Sequence, residues 1–267
     1  MNQENKGLIE VRKSGLNIAK GEYILFVDGD DWLEKDALEL LYNNAIENNS
    51  DIVIYNAFLS YDDRKKNFDV IRGNNIDTND YIKNLFLGKI LPGLAFKFIK
   101  LEFIKSNNIE FPSDISFAED LGVSASLFMY NPKVSLLKDN LYNYYQRDDS
   151  ITNKKNSKVL ELDTVLSFIH NRLIDKNLYN KYKEEFEYMV YTHLFSGWFI
   201  KYSYEEELNI KLYKQYLNRN ISIKENPLIR KEISSYPLMS RIRVKSYHKS
   251  YKYGKVYDNL RRLVKGN

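Results

Sequence analysis

Apolar and polar positions divide this chain into two regimes. Leu8, Val11, Leu16 and Ala19 share one helical face, and Gly21 is a natural stop, which predicts a helix over residues 8–20. Ile24-Leu25-Phe26-Val27 is an unbroken apolar run and reads as a buried strand. Leu33, Ala37, Leu40, Leu41 and Ile46 predict a second helix over 33–48, inward on those residues and broken at Asn48-Asn49-Ser50. Residues 51–58 form a second apolar run and predict another buried strand. This helix–strand–helix–strand order implies an α/β fold with a largely parallel sheet and flanking helices.

Residues 60–80 are polar and read as a hairpin or loop excursion, followed by a short helix over 80–86. Ile90 to Ile104 reads as strand, loop and helix, and Leu121 to Tyr130 as a helix ended by Asn131-Pro132. Residues 133–137 and 141–145 read as strands, the latter alternating and aromatic. From about 155 the spacing is helical only, over 159–174, 180–201 and 205–218, with Trp198 read as core. The predicted domains are therefore 1–153, α/β, and 154–267, all-helical.

The chain has 267 residues, ample for one large domain or a core with an appendage. It contains no cysteine, which excludes disulfides, thiolate metal sites and a Cys nucleophile, and fits a reducing compartment. Three histidines, at 170, 193 and 248, do not make a His-rich zinc site. No apolar run approaches the ~20 residues of a membrane span, and the first residues lack a signal-peptide core. A cytoplasmic location is expected.

Within the acidic turn, Asp28, Asp30 and Asp31 crowd the end of the first apolar run, with Gly29 between them and Trp32 after them. Carboxylates are costly to bury unpaired, so they belong at the exposed end of a strand. Oxygen donors so placed suit a hard cation, Mg²⁺ or Mn²⁺, which can in turn hold phosphate oxygens. The alternative is an acidic turn in which Asp31 caps a helix that starts near Trp32.

The series Glu4-Asn5-Lys6-Gly7, Arg12, Gly15-Leu16, Ala19-Lys20-Gly21-Glu22-Tyr23-Ile24 and Phe26 to Trp32 resembles the middle of family 2 glycosyltransferases of the GT-A fold. Ala95-Phe96-Lys97-Phe98 is similar to that family's NKL segment, Phe117-Ala118-Glu119-Asp120 to its ED motif, and Tyr142 to Arg147 with Ser150-Ile151-Thr152 to its YYYR and SIT segments. The resemblance covers about residues 4–152. Lys13, Lys6, Tyr145 and Phe96 depart from the family pattern. The strand and DDGS-type turn that hold the nucleotide in family members are not among these residues. The resemblance thus implies a truncated GT-A (Rossmann-like) sheet followed by a helical region, and either an enzyme or a non-catalytic remnant or subunit acting through a partner chain.

The resemblance also implies roles. Asp28 and Asp30 form the DxD, with Asp30 the direct metal ligand and Asp28 a ribose or supporting partner. Asp120, beside Glu119, takes the proton from the acceptor hydroxyl, which implies inversion at the anomeric carbon. The alternative for Asp120 is helix capping ahead of Leu121. Arg147 contacts the diphosphate or acceptor, or is a solvated loop residue. Arg12 stands on the donor side, or forms a surface ion pair with Glu10. Trp32 floors the acceptor sugar pocket, or packs in the core. The implied partners are a nucleotide-sugar donor of the UDP-sugar kind and a glycan or lipid-linked acceptor in surface-polysaccharide synthesis.

Net charge adds one element. Residues 241–267 carry nine Lys/Arg against Asp258, or +8, so residues 1–240 sum to −4. A basic tail on an acidic body points to an anionic partner such as the inner face of a cell membrane, held peripherally. Tyr247, Tyr251 and Tyr257 within it also permit nucleic-acid contact, a reading that rests on this tail alone. A solvated terminal helix is the remaining alternative.

Overall fold

The computed structural model describes Glu4 and residues 7–265, except 74, 114, 148–156 and 203–204. The chain forms two compact units, Met1–Asn180 and Lys181–Asn267. The domain boundary predicted at 153/154 and the Ser150-Ile151-Thr152 segment lie outside the described residues.

The first unit is built on β3 (Ile52–Ser60), whose first six residues are buried. A six-stranded sheet runs in the order β1 (Tyr23–Ile24), β5 (Lys97–Lys100), β3, β6 (Val134–Tyr145), β2 (Trp32–Leu33), with β4 (Lys65–Phe68) paired to β3 beyond β5. Helices α1 (Leu8–Ile18), α2 (Ala37–Glu47), α3 (Tyr81–Phe86), α4 (Leu101–Ser106), α5 (Glu119–Phe128) and α6 (Glu161–Asp175) flank it. The predicted α/β class and flanking helices are present. The largely parallel sheet is not: among the described residues β3 and β6 alone are parallel, and every other strand pair is antiparallel. Antiparallel pairing needs no helical crossover, and β3 turns straight back into β4.

Two local expectations are corrected. Residues 24–27 are not a buried strand. Only Tyr23 and Ile24 join the ladder, at the sheet edge against Lys100 and Ile99, and Val27 is 47% exposed. Apolar content does not distinguish an edge from a centre. The second helix begins at Ala37, because Trp32 and Leu33 pair with Asn143 and Tyr142 instead. It buries Ala37, Leu41 and Ala45, four residues apart on one face, and leaves Leu40 and Ile46 exposed.

The two strands predicted over 133–145 are one strand with a slip. Tyr55 faces Leu137, Asn56 faces Asn140 and Ala57 faces Tyr142. The surplus residues on β6 form a bulge, which turns a strand. Beyond it, Tyr142 is buried against the acidic turn, and Asn143 is buried with its amide donating to Glu34 Oε1 at 2.8 Å.

The second unit contains helices α7 (Tyr179–Val190, starting at the boundary), α8 (Glu206–Asn218), α9 (Pro227–Ser235), α10 (Leu238–Lys249) and α11 (Tyr251–Lys265), with a π-helical stretch at Tyr191–Tyr202. Asn226 caps α9 by accepting from Leu228 N and Ile229 N, with Pro227 at the first position. No strand occurs among its described residues, as the spacing predicts. The Trp198 side chain lies outside the described residues. Among those residues no helix is long and apolar enough to cross a membrane.

Candidate functional site

The guanidinium of Arg12 brings three separate stretches together. It is 6% exposed and projects from α1. Its Nη1 donates to Glu119 Oε1 at 3.2 Å and to Asp120 Oδ1, and its Nη2 lies 3.6 Å from Asp28 Oδ1. A surface pair with Glu10 is thereby excluded. Glu10 accepts from Lys13 at 2.7 Å instead. Arg12 and Asp28 are among the residues that line an open trough between α1 and residues 24–28.

The acidic turn is tied to β6. Asp31 accepts from Tyr142 Oη at 2.6 Å and from Tyr145 N at 2.9 Å. Asp31 therefore caps no helix; it fastens the turn to the strand beyond the bulge. Tyr142 also accepts from Asp28 N at 3.2 Å, so one buried hydroxyl spans the turn. Asp30 pairs with Arg147, and both are substantially exposed. Arg147 is not a free solvated loop residue. Trp32 is a strand residue, 43% exposed, with its ring 6.1 Å from that of Tyr145, so core packing does not describe it.

Glu119 and Asp120 open α5, whose N-cap is Ala118 in the left-handed region at φ 60°. Glu161 of α6 holds the preceding loop, accepting from Ser116 N at 2.6 Å and Phe117 N at 3.0 Å. Asp120 does not cap its own helix: its second oxygen accepts from Leu94 N at 3.1 Å. Lys97 supports that segment from beneath. Its fully buried ammonium donates to the carbonyls of Leu91, Pro92 and Gly93 at 3.0, 3.0 and 2.9 Å, and Ser124 Oγ also bonds Pro92 O.

Burial sets the electrostatics. It pushes the Glu119 carboxyl up to about 7, with Asp120 adding to the rise and Arg12 opposing it. Burial also raises Asp28, against the pull of Arg12. It lowers the Lys97 ammonium to about 7, while Asp120 opposes the fall. Folded Glu119 thus holds its proton more tightly than the ordinary 4.5. Its contribution to stability is complete below pH about 4.5 and is lost as pH rises toward about 7. Glu119→Gln is expected to flatten that loss, whose steepest slope is about 1.4 kcal/mol per pH unit. Urea unfolding of both proteins at pH 5 and pH 7 reads it, and an unchanged difference between the two pH values contradicts it.

Lys97→Met is expected to lower stability by about 2–4 kcal/mol, since three carbonyls lose a charged donor. Chemical denaturation measures this, and an unchanged midpoint would assign those carbonyls other partners. The structural roles of Lys97, Tyr142 and Glu161 are not legible from spacing. The one available signal is a lysine between Phe96 and Phe98 in an apolar stretch, since lysine is seldom buried unless paired.

The acids Asp28, Asp30, Asp31, Glu119 and Asp120 outnumber the cations Arg12 and Arg147 in this region. No group of three metal-capable side chains occurs among the described residues. Mg²⁺ uses one or two carboxylates plus substrate phosphates, so Asp28 and Asp30, both partly exposed hard-oxygen donors, fit it. A cation at Asp30 has to share or displace Arg147.

A sequence profile described as "Glycosyl transferase family 2" matches residues 1–102. The cholesterol galactosyltransferase of Borreliella burgdorferi is 30% identical over 231 residues, which are 80% of this chain and 64% of that protein. The glycosyltransferase GlyG of Streptococcus pneumoniae is 32% identical over 165 residues, 57% of this chain and 53% of that one. The match thus spans less than two thirds of each relative's length. A crystal structure of Staphylococcus aureus TarS 1-349 in complex with UDP-GlcNAc superposes with a TM-score of 0.62 at 17% identity, covering 98% of this chain and 74% of that one. That likeness shows the fold.

Proposed function

The chain belongs to glycosyltransferase family 2 and has a GT-A-type fold, and on that premise we propose that it moves a sugar from a UDP-sugar donor to a glycan or lipid-linked acceptor in surface-polysaccharide synthesis. The observation that carries this reading is the junction made by Arg12, which joins the Asp28–Asp30 turn to Glu119–Asp120. A donor-side acidic turn and a base-bearing helix thereby meet at one point. The relatives' names and the nucleotide sugar in the TarS complex support the donor and acceptor classes.

In this mechanism Asp120 accepts the proton of the acceptor hydroxyl as its oxygen attacks the anomeric carbon. The bond to the diphosphate breaks as the new glycosidic bond forms, so a single displacement inverts the anomeric centre. Asp30 and Asp28 would hold Mg²⁺ or Mn²⁺, whose charge neutralises the departing diphosphate. Arg147, which pairs with Asp30, would contact the same anionic oxygens. Arg12 does not touch the donor in this scheme. It keeps Glu119, Asp120 and Asp28 together as a buried counter-ion. Trp32 offers an exposed ring to the acceptor sugar.

Calorimetric titration with UDP in the presence of Mn²⁺ tests donor binding. Saturable heat that Asp30→Asn weakens at least about tenfold is expected. Absence of heat at millimolar UDP would sink donor binding by this chain and favour the non-catalytic subunit reading.

A further inference from the structure

We propose that the α10–α11 hairpin lies in the plane of an anionic lipid bilayer and inserts an apolar stripe of α11 among the lipid chains. This goes beyond the transfer reaction and rests on a different part of the chain. Helix α11 is amphipathic, yet it is turned the opposite way from a helix that packs a protein core. Its polar and small positions face inward. Asp258 accepts from Arg243 at 2.7 and 2.9 Å and from Tyr247 Oη at 2.7 Å. Gly254 is buried so closely against Tyr247 that an added Cβ would come within 2.2 Å of its ring. These contacts fix the rotation of α11 about its axis.

Tyr253, Val256, Leu260 and Leu263, spaced as one helical stripe, consequently face outward and are 55%, 49%, 57% and 79% exposed. Helix α10 adds exposed Leu238, Met239 and Ile242. Tyr257 Oη donates to Met239 O at 2.7 Å, which sets that end of α10 beside α11.

Charge chooses the occupant. Arg243 is consumed by Asp258, and Lys255 by Glu206. Lys245, Lys249, Lys252 and Arg262 remain exposed on these helices, with Lys249 Nζ 4.4 Å above the Tyr253 ring. A nucleic acid uses the cations but has no use for Leu260 and Leu263. A second copy of the chain would set like charges face to face. An anionic bilayer takes both: headgroups meet the Lys and Arg, and the acyl boundary takes the stripe. Helix α11 is too short and too polar to span, so it lies along the surface.

Flotation of the full chain with phosphatidylcholine vesicles, with and without phosphatidylglycerol, tests this. Binding is expected only with phosphatidylglycerol, weakening as salt rises. Leu260→Asp/Leu263→Asp should lose at least about tenfold in partition, and Lys249→Glu/Lys252→Glu a similar factor. Circular dichroism of the variants should be unchanged, because all four side chains are exposed, and thermal unfolding should shift only slightly, by the loss of the Lys249–Tyr253 contact. Three results would overturn the proposal: no flotation at millimolar anionic lipid, flotation untouched by the leucine pair, or a dimer that the leucine pair dissolves. Failure here leaves UDP binding intact, and failure of UDP binding leaves flotation intact.

Discussion

Asp120→Asn is expected to reduce sugar transfer by about a thousandfold while UDP affinity changes little, in the range general-base catalysis supplies. The amide keeps the shape and still accepts from Leu94 N at the Oδ2 position, but it cannot take up the hydroxyl proton. Arg12 loses one anionic partner and retains Glu119 and Asp28. The fold should therefore persist, with a small loss of stability. UDP release from UDP-GlcNAc or UDP-galactose, with acceptor present, measures the turnover. Retained turnover would move the base to Glu119 or elsewhere. Glu119 is the less accessible of the two, its side chain being 11% exposed against 24% for Asp120.

Arg12→Ala carries the largest expected effect on stability, a loss of about 3–5 kcal/mol. The side chain is buried, and its removal leaves Glu119, Asp120 and Asp28 facing one another with no cation between them. Breaking a buried ion cluster from one side costs more than the cluster contributed, since the remaining charges stay desolvated. The whole stability of a domain is about 5–15 kcal/mol, so a large fraction of it is at stake. Arg12→Lys should recover only part, because one ammonium cannot fork to Glu119 and Asp120 while reaching Asp28. Urea unfolding of the three proteins reads both statements. A midpoint for the alanine variant equal to that of the parent would show the acids held apart by other contacts. Arg12 opposes the rise of Glu119 and Asp28, so both should take up protons more readily in Arg12→Ala and its deficit should shrink as pH falls.

The sequence alone determined the alternation of helix and strand through β3, the change to helices after 155, and the motifs whose resemblance indicated the family. Those signals are local. Periodicity, glycine stops and the acidic turn need no knowledge of what lies across the fold. Tertiary structure decided the rest. The run at 24–27 is as apolar as a central strand, but its burial depends on neighbours on both sides, and among the described residues its one ladder partner is β5. Asp31 looks like a helix cap until β6 places Tyr142 and Tyr145 against it. Arg12 looks like a surface residue until Glu119 and Asp120, more than a hundred positions away, close on it. The basic tail reads as a charge run, and the contacts of Asp258 and Gly254 with α10, by fixing how α11 is rotated, turn its leucines outward. In each case a local pattern names the side chain, and a partner distant in sequence sets its charge, its burial and its direction.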